Sequence, residues 1–441
     1  MRYDVVILGS GESGVGSALL AAKNRYSVFV SEQGTIDNKT KKLFDQFGIE
    51  YEEGGHTERV FQTKEVVKSP GISPSANIIK ELENRNIPVI SDIEFGFRFT
   101  GGKIIAVTGT DGKTTTASLI YHIFKQNGYD VALSGNIGKS FCRQLYERDS
   151  RWHVVEVSSF QLRYIKRFRP HIAILLNIAK DHLDWHPSME DYIQSKFNIT
   201  KNQTIDDHFV FNANDQTILN WIKKLHINAK KHPFFPNKRP MRYRDPITGR
   251  MIEIDPQAEN IAHPASTMAA AITARIANIP ENKINEAMRT FKRPPHRLEP
   301  VAEINGIVFI NDSKATNVNS AWYALETVPK PIVWIAGGVD KGNDYSPLVP
   351  LVEEKVKAIV CLAKDCTPIK GAFDGIVPVY HVVSMEEAVK QAFDLSSEGT
   401  TVLLSPACAS FDLFSNYAER GEAFRKAVIE LKETVEQEGE R

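Results

Sequence analysis

Residues 103–116, KIIAVTGTDGKTTT, run from an apolar segment through a glycine-bearing loop to a lysine and three threonines. A loop of this kind wraps backbone N–H groups around a phosphate, and the N-terminus of the helix that follows adds a positive dipole. Lys113 can supply a charge to the outer phosphates, and the hydroxyl of Thr114 can bind Mg²⁺. Because Val107 replaces the first glycine of the common phosphate loop, this loop is a shorter variant.

A chance match within a turn is the alternative interpretation of this loop. The apolar strand before it and the helix-compatible segment after it favour binding and use of ATP instead. The loop residues expected to contact ATP are Gly109, Thr110, Asp111, Gly112, Lys113, Thr114 and Thr115.

Three polar residues of the same region give weaker indications. Glu156 lies inside the apolar strand HVVEVSS, where a carboxylate is costly unless it is paired or bound to a cation. His182 follows the apolar run IAILLNI, and Lys196 lies in the helical segment MEDYIQSKF. The alternatives are an ion-paired carboxylate, a capping or packing histidine and a solvated lysine. Together with the phosphate loop, Glu156 and His182 indicate a metal–nucleotide site that holds Mg²⁺.

A second glycine motif opens the chain. Gly9, Gly11 and Gly14 form a G-x-G-x-x-G turn between the strand DVVIL and a helical segment, and Glu32 follows the next strand. This pattern is the fingerprint of a dinucleotide-binding fold with its acidic residue in place. The tripeptide SPG at 69–71 ends another short strand, where ligand loops of such sheets lie.

Alternating strands and helices must position these residues, and the pattern predicts three α/β domains in series. We expect a Rossmann-like domain over 1–97, a central parallel sheet with the phosphate loop over 98–298 and a second Rossmann-like domain over 299–441. The basic, proline-rich stretch 230–251 is interpreted as a surface loop or hairpin rather than core, with a nucleic-acid patch as the weaker alternative.

Small and polar residues follow three strands of the last segment. Asp312 and Lys314 come after IVFIN, Gly337 and Gly338 after PIVWIA, and Ser410 after TVLLSP. Turn glycines and helix caps are the alternative reading. Their concentration at successive strand ends favours an anionic ligand.

Composition narrows the class of protein. The 441 residues carry 54 acidic and 54 basic side chains, so no net charge favours nucleic acid. No apolar run reaches the roughly 20 residues that span a bilayer, and the segment MRYDVVILGS is expected to be the first strand rather than a leader. Four cysteines without metal-ligand spacing fit reduced thiols, so we expect a cytoplasmic enzyme.

Ten motifs, in order along almost the whole chain, resemble the Mur ligase family of peptidoglycan precursor synthesis. They are GSGESG, SPG, TGTDGKTT, SGNIG, VEVSSFQL, DHLDWH, HRLE, NDSKATN, GGVDKGNDY and SPACASFDLFSNYAERG. The DSKATN and SPACASFD segments are the most specific for members that add D-glutamate. The resemblance implies the substrates UDP-N-acetylmuramoyl-L-alanine, D-glutamate and ATP, the cofactor Mg²⁺ as two ions, and a monomer.

The family also implies roles for individual residues. UDP, rather than NAD, would contact Ser13, Glu32, Ser69, Pro70 and Gly71, and Asn136 would lie near the muramoyl-alanine carboxyl. ATP would be held by Lys113, Thr114, Arg297 and Asp312. Glu156 would bind one Mg²⁺, His182 a second, and Lys196 would be carbamylated to an anionic metal ligand. D-glutamate would contact Lys314, Thr316, Lys341, Ser410 and Tyr417.

The implied reaction is ATP-dependent amide formation through an acyl phosphate and a tetrahedral intermediate, with His182 one candidate acceptor of the amine proton. Some positions depart from the family pattern. Asp111 and Tyr417 replace an asparagine and a phenylalanine, and Pro264 and Thr267 replace two asparagines, the second of which contacts adenine. Three rival functions are a ligase for another amino acid or folylpolyglutamate, an NAD-dependent oxidoreductase and a non-catalytic nucleotide-binding scaffold.

Overall fold

The computed structural model describes residues 2–183, 185–238, 240–255, 263–340 and 342–439. Contacts within the chain define two compact units, Met1–Lys292 and Arg293–Arg441, which we call the first and second unit. No helix among the described residues is long and apolar enough to cross a membrane.

The first unit begins with a five-stranded parallel sheet in the order β3-β2-β1-β4-β5. Its strands are β1 (Val5–Leu8), β2 (Val28–Ser31), β3 (Glu50–Glu52), β4 (Val66–Lys68) and β5 (Val89–Ser91). The helices are α1 (Glu12–Lys23), α2 (Asn38–Gln46), α3 (Asn77–Asn84) and α4 (Asp92–Phe97). The order matches a Rossmann-like sheet, and it places the glycine turn and the 69–71 segment at the carboxyl ends of the neighbouring strands β1 and β4.

A second parallel sheet follows, in the order β11-β10-β9-β6-β8-β7. Its strands are β6 (Lys103–Thr108), β7 (Val131–Gly135), β8 (Trp152–Glu156), β9 (Ile172–Leu175), β10 (His208–Asn212) and β11 (Lys230–Phe234). The helices are α5 (Lys113–Gln126), α6 (Phe141–Glu147), α7 (Ser159–Arg163), α8 (Met189–Phe197), α9 (Gln216–Lys224), α10 (Pro264–Ile276) and α11 (Glu281–Arg289). Short 3-10 helices of the first unit cover Glu58–Phe61 and Asn198–Thr200.

The two sheets of the first unit share one apolar core. Leu19 of α1, Phe95 of α4 and Phe141 of α6 are buried in the same cluster as Ala106 of β6. The amino-terminal pocket and the phosphate loop are therefore held by one packed body.

The prediction for residues 230–251 was partly wrong. Residues 230–234 form β11, the edge strand of the central sheet, and the side chains of Phe234, Met241 and Tyr243 are buried. An edge strand tolerates Pro233, which hid the strand from sequence reasoning. The hairpin is confirmed, because β12 (Arg242–Arg244) pairs antiparallel with β13 (Met251–Glu253).

The second unit contains a sheet in the order β14-β15-β19-β16-β17-β18, in which only the pairing of β14 with β15 is antiparallel. Its strands are β14 (Glu299–Ile304), β15 (Ile307–Asn311), β16 (Ile332–Ala336), β17 (Val356–Leu362), β18 (Val379–Val382) and β19 (Thr401–Leu404). The helices are α12 (Val318–Thr327), α13 (Val349–Lys355), α14 (Thr367–Phe373), α15 (Met385–Asp394) and α16 (Tyr417–Gly439), with a 3-10 helix at Ser346–Leu348. The predicted α/β architecture with parallel sheets is confirmed, whereas the domain boundaries stay predictions.

The expectation of reduced thiols was wrong for two cysteines. Cys361 and Cys366 form a disulfide, whereas Cys142 and Cys408 are buried thiols. Cys361 lies in β17 and the chain turns back before α14, which brings the two Cα atoms to 6.2 Å, a separation that a disulfide spans. The sequence spacing alone did not reveal this turn.

Candidate active site

The phosphate loop joins the end of β6 to the start of α5. Gly109 has φ of 153°, and a Cβ there would come within 3.0 Å of the Leu176 side chain. Gly112 has φ of 78° at the position before the first residue of α5. Both positions therefore favour glycine, and neither of the two adds a side chain to the loop.

Asn177, which follows Leu176 just past the end of β9, holds this loop in place. Its Oδ1 accepts from the backbone N–H groups of Thr110 at 3.0 Å and Asp111 at 2.9 Å, and its Nδ2 donates to the Asp111 carbonyl at 3.2 Å. Sequence reasoning missed this residue, although a polar residue just past an apolar strand is a candidate for the ligand-binding edge of a parallel sheet. Asn177 fixes the loop backbone from the side of the neighbouring strand.

Two lysines converge on one carbonyl of the loop. Lys113 Nζ donates to the Gly109 oxygen at 2.9 Å and to the Thr110 oxygen at 2.6 Å. Lys196 Nζ donates to the same Gly109 oxygen at 2.7 Å. The solvated-lysine interpretation was wrong, because Lys196 is only 2% exposed.

Burial and the neighbouring charge act on Lys196 in the same direction. Burial, and then the positive charge of Lys113, lower the pKa of Lys196 well below its ordinary value. Its Nζ also lies 4.4 Å from the ring centre of Tyr192, whose hydroxyl is 3.0 Å from Thr110 Oγ1. The environment favours a neutral amine at this position.

Glu156 ends β8 beside the phosphate loop, since it pairs with Val107 of β6. Its carboxylate is 1% exposed, and Oε1 accepts from Asn136 Nδ2 at 3.1 Å. The Asn136 backbone N–H also donates to the Glu156 carbonyl at 2.8 Å. The predicted metal ligand and the predicted substrate contact are thus direct neighbours.

His182 lies in the loop after β9 with φ of 55° and a side chain that is 38% exposed. Its ring centre is 4.9 Å from that of Phe160, and its Nε2 is 3.5 Å from Asp181 Oδ2. His186 fixes the end of the loop, because its two ring nitrogens lie 2.6 Å from Asp191 Oδ2 and 2.9 Å from Ser159 Oγ. The His182 side chain is thus partly accessible to solvent.

The donor set near the phosphate loop suits a hard cation. Thr114 offers a hydroxyl and Glu156 a carboxylate, both at buried positions. Within the described ranges, no three His, Cys, Asp or Glu side chains are grouped as a metal cage. Mg²⁺ typically takes one or two protein oxygens and completes its shell with substrate phosphates and water, so these residues fit that ion.

A pocket of about 960 Å³ opens beside the first glycine turn. It is lined by all five residues predicted to contact UDP, namely Ser13, Glu32, Ser69, Pro70 and Gly71. A Cβ on Gly14 would come within 2.0 Å of the Gly9 carbonyl oxygen, so only glycine fits there. Asn136 is not among the lining residues, and the structure places it at Glu156 instead.

Glu32 is held by the backbone around it. Its Oε2 accepts from the Ser10 N–H at 2.7 Å and its Oε1 from the Gly34 N–H at 2.8 Å. Burial raises the pKa of Glu32, but these donors outweigh burial and lower the pKa below its ordinary value. The carboxylate is therefore ionised and oriented at the rim of the pocket.

In the second unit, predicted residues gather beyond the parallel strands β15 and β19. Asp312 accepts from the Leu298 N–H at 3.1 Å and from Ser405 Oγ at 2.9 Å. Burial raises the pKa of Asp312 to about 7, against the hydrogen bond from Ser405 and the charge of Arg297. Lys314 Nζ lies 4.8 Å from the ring centre of Tyr417.

The remaining predicted residues of this unit differ in placement. Ser410 is buried and Thr316 is exposed. The prediction for Lys341 lies outside the described residues. Pro264 opens α10, and the buried Thr267 donates from Oγ1 to the His263 carbonyl at 3.4 Å, so its hydroxyl faces its own helix.

Arg420, a residue that sequence reasoning did not single out, joins three loops of the second unit. Its guanidinium donates to the Ser313 carbonyl at 2.9 Å, to the Cys408 carbonyl at 3.2 Å and to the Gly337 carbonyl at 3.5 Å. The side chain is 2% exposed. One buried cation thus positions the loops after β15, β16 and β19.

Domain comparisons cover most of the chain. The MurD N-terminal domain matches residues 4–78, the Mur ligase middle domain matches 107–249, and the Mur ligase glutamate ligase domain matches 296–408. A relative from Christiangramia forsetii named UDP-N-acetylmuramoylalanine--D-glutamate ligase is 45% identical over 98% of this chain and 100% of its own. Relatives of the same name from Bacteroides fragilis and Porphyromonas gingivalis are 45% and 42% identical over 97% and 98% of this chain, and each is covered over 99% of its length.

Solved structures share the fold at low sequence identity. UDP-N-acetylmuramate-alanine ligase MurC from Thermotoga maritima aligns with a TM-score of 0.60 at 17% identity, over 98% of this chain and 100% of that one. MurF ligase from the same organism, in complex with ADP, aligns with a TM-score of 0.61 at 12% identity, over 93% and 96%. With relatives more than 40% identical along its whole length, and the same domains in the same order, the chain belongs to the Mur ligase family.

Proposed function

We propose that this chain joins D-glutamate to UDP-N-acetylmuramoyl-L-alanine while ATP is converted to ADP and phosphate, in the synthesis of peptidoglycan precursors. The observation that carries the proposal is the full-length similarity, at 42–45% identity, to relatives named for that reaction. The geometry supports it, because a phosphate loop and a large pocket beside a glycine turn occur in one packed unit.

A carboxylate is a poor electrophile, so the reaction needs an activated acid. A carboxylate oxygen of the substrate attacks the γ-phosphorus of ATP, giving an acyl phosphate and ADP. The amine of D-glutamate then attacks the acyl carbon and loses a proton to water, and the tetrahedral intermediate expels phosphate as the amide forms. The site must neutralise and align several anions, and backbone N–H groups and cations do this in phosphoryl transfer.

Lys113 and the backbone N–H groups at the start of α5 bind the outer phosphates in this proposal. Thr114 and Glu156 hold one Mg²⁺, and His182 holds a second. When bound, these ions neutralise charge that develops on the phosphoryl oxygens. Asn136, hydrogen-bonded to Glu156, orients the substrate carboxylate next to the nucleotide.

Lys196 is proposed to carry a carbamate. A neutral amine attacks CO₂, one proton is lost to solvent, and the product is an anionic N-carboxylate. The burial of Lys196 and the charge of Lys113 favour the neutral amine that this step needs. The resulting N-carboxylate would supply an oxygen ligand for Mg²⁺.

The amino-terminal pocket is proposed to hold the UDP part of the substrate, with Glu32 and the Ser69–Gly71 turn as its contacts. Arg297 and Asp312 are proposed to contact ATP, and Lys314, Thr316, Lys341, Ser410 and Tyr417 to recognise D-glutamate. We also propose that the chain acts as a monomer in the cytoplasm, where UDP-linked precursors and ATP are present.

The test is phosphate release with ATP, Mg²⁺ and UDP-N-acetylmuramoyl-L-alanine across a panel of amino acids that includes both glutamate enantiomers. Release with D-glutamate alone is the expected result. Release with a different amino acid would keep the ligase and change its substrate, and no release with any amino acid would contradict the proposal. Lys113→Ala should abolish release, whereas Lys125→Ala, an exposed lysine on the same helix, is the matched control.

A further inference from the structure

Lys68 is a buried lysine that the proposed mechanism does not use. It is the last residue of β4, and its side chain is 2% exposed. Its Nζ donates to the carbonyl oxygens of Ile72 at 2.6 Å and Ser69 at 3.1 Å, with the Pro70 oxygen at 3.5 Å. These carbonyls all belong to the turn that follows β4, which we call the SPGI turn (residues 69–72).

The SPGI turn forms part of the wall of the 960 Å³ pocket. Ser69 packs directly against the first glycine turn, since a Cβ on Gly9 would lie 2.6 Å from Ser69 Oγ. The position of this turn therefore sets the width of the pocket at the glycine turn. A shift of the Ser69 side chain would change the surface that a ligand contacts there.

The surroundings of Lys68 suit an ammonium rather than an apolar side chain. An ammonium has three N–H groups, and three carbonyl oxygens converge on this one. The ring centres of Tyr164 and Trp185 lie 4.8 and 5.1 Å from Nζ, close enough for cation–π attraction. The buried carboxylate of Asp92 adds an opposite charge, while Arg163 adds a like charge.

We propose that Lys68 is a positioning residue for the nucleoside-diphosphate part of the substrate, because its Nζ donates to the carbonyls of the SPGI turn and holds them together. This inference rests on the proposed function, which assigns that ligand class to the pocket. With the carbonyls drawn inward, Ser69 and the backbone of residues 71–73 keep the arrangement that lines the pocket. Without this donor, partly buried carbonyl oxygens lose their hydrogen-bond partner, and the turn must rearrange to satisfy them.

The contact of Lys68 with Trp185 extends the effect towards the phosphate loop. Trp185 belongs to the loop that carries His182, and its ring centre is 4.4 Å from that of Phe160, which also contacts His182. One side chain thus touches the pocket turn and the loop of a proposed metal ligand. The main consequence is expected in binding of the UDP substrate, with a smaller effect on turnover.

The test compares Lys68→Met, which keeps the aliphatic stem, with Lys80→Met, which removes an exposed lysine from α3 beside the same pocket. The probe is UDP, titrated calorimetrically, together with the KM values for each substrate. Loss of hydrogen bonds from a charged donor should weaken UDP binding and raise the KM for the UDP substrate by about tenfold to a hundredfold. The KM values for ATP and D-glutamate should change less than about twofold, and they should match the values measured for Lys80→Met.

A Lys68→Met protein with native circular dichroism and UDP affinity equal to that of Lys80→Met would overturn the proposal. So would equal rises in the KM values for ATP and the UDP substrate, which indicate a general structural role. Lys68→Gln, which replaces the amine by an uncharged amide donor, answers the same question if Lys68→Met does not fold. Lys68→Arg should recover part of the affinity.

UDP titration also separates this inference from the proposed function. If the unaltered chain binds UDP but makes no amide with D-glutamate, the reaction assignment fails while the role of Lys68 is still measured. If the unaltered chain does not bind UDP, the inference fails as well.

Discussion

Lys68 and Lys196 are both buried lysines that donate to the backbone of a ligand loop, yet their surroundings drive them to different chemistry. Each is 2% exposed. Beside Lys196 stands the like charge of Lys113, and the pKa of Lys196 falls well below its ordinary value. Beside Lys68 stands Asp92, and burial lowers its pKa only to about 7.

The difference shows how one residue type serves two purposes. Burial penalises the ammonium in both cases. The largest effect of a neighbouring charge opposes the ammonium at Lys196, where it comes from Lys113, and favours it at Lys68, where it comes from Asp92. Lys196, with a cation beside it and one carbonyl as acceptor, is suited to react as a free amine. Lys68, with a carboxylate near it and several carbonyls as acceptors, is suited to hold a turn in place.

Loss of Lys196, the lysine suited to react, is expected to have the largest effect on activity. Lys196→Ala removes the amine that is proposed to become a metal ligand, so kcat should fall by about a hundredfold to a thousandfold, the scale of losing one preorganised electrostatic group. Steady-state phosphate release measures this change. Lys201→Ala, an exposed lysine just past α8, should retain full activity, and a Lys196→Ala enzyme of near-normal kcat would contradict the assigned role.

The carbamate itself gives the second prediction. Removing dissolved CO₂ should lower the activity of the unaltered enzyme, and bicarbonate should restore it, because carbamate formation is reversible. With ¹³C-labelled bicarbonate, a carbamate resonance is expected in the NMR spectrum of the unaltered protein. The same resonance in Lys196→Ala, or activity indifferent to CO₂, would show that Lys196 acts in another form.

Asn177 provides a third, smaller effect. Asn177→Ala removes three hydrogen bonds from the phosphate loop. At about 0.5 to 1 kcal/mol for each bond, the KM for ATP should rise by about tenfold to a hundredfold. The KM for D-glutamate should not change. Asn220→Ala, at an exposed position of α9, is the control. Equal ATP affinity in the two variants would contradict the proposal that Asn177 orders the loop.

The smallest effect concerns stability and pH. The pKa of Lys68 is about 7 in the folded chain, against an ordinary value of 10.5. Between these values the unfolded chain binds the extra proton, so the free energy of unfolding of the unaltered protein should rise with pH by up to about 1.4 kcal/mol per unit. Lys68→Met lacks this contribution, and the other titrating groups are common to both proteins.

The measurement is urea unfolding of both proteins at about pH 7 and about pH 9. The stability of the unaltered protein relative to Lys68→Met should increase at the higher pH. A pH-independent difference would contradict the lowered pKa of Lys68.

Much of the fold could be read from local patterns. Apolar runs followed by glycine turns identified the strands before Gly9 and Gly109, because strand and turn preferences act over a few residues. Contacts over long distances in the chain could not be read in this way. Asn177 reaches the phosphate loop and Arg420 reaches Ser313 only after the sheets have formed.

Lys196, the edge strand β11 and the disulfide also depend on structure that the local sequence pattern does not show. Lys196 lies in a helix whose sequence suits a solvated position, and only the approach of Gly109 makes it a buried donor. The strand Lys230–Phe234 was hidden by Pro233, which an edge position tolerates. The disulfide of Cys361 and Cys366 depends on a turn that the spacing of the cysteines in the sequence did not predict.

In the proposed reaction ATP activates the substrate carboxylate, and transfer of an oxygen isotope from that carboxylate to phosphate reports this step. UDP-N-acetylmuramoyl-L-alanine labelled with ¹⁸O in its terminal carboxylate is incubated with ATP, Mg²⁺ and D-glutamate, and the released phosphate is analysed by mass spectrometry. We expect one ¹⁸O atom in each released phosphate, because the carboxylate oxygen that attacks the γ-phosphorus stays bonded to that phosphorus when phosphate leaves. Amide formation with unlabelled phosphate would contradict the acyl phosphate and the mechanism built on it.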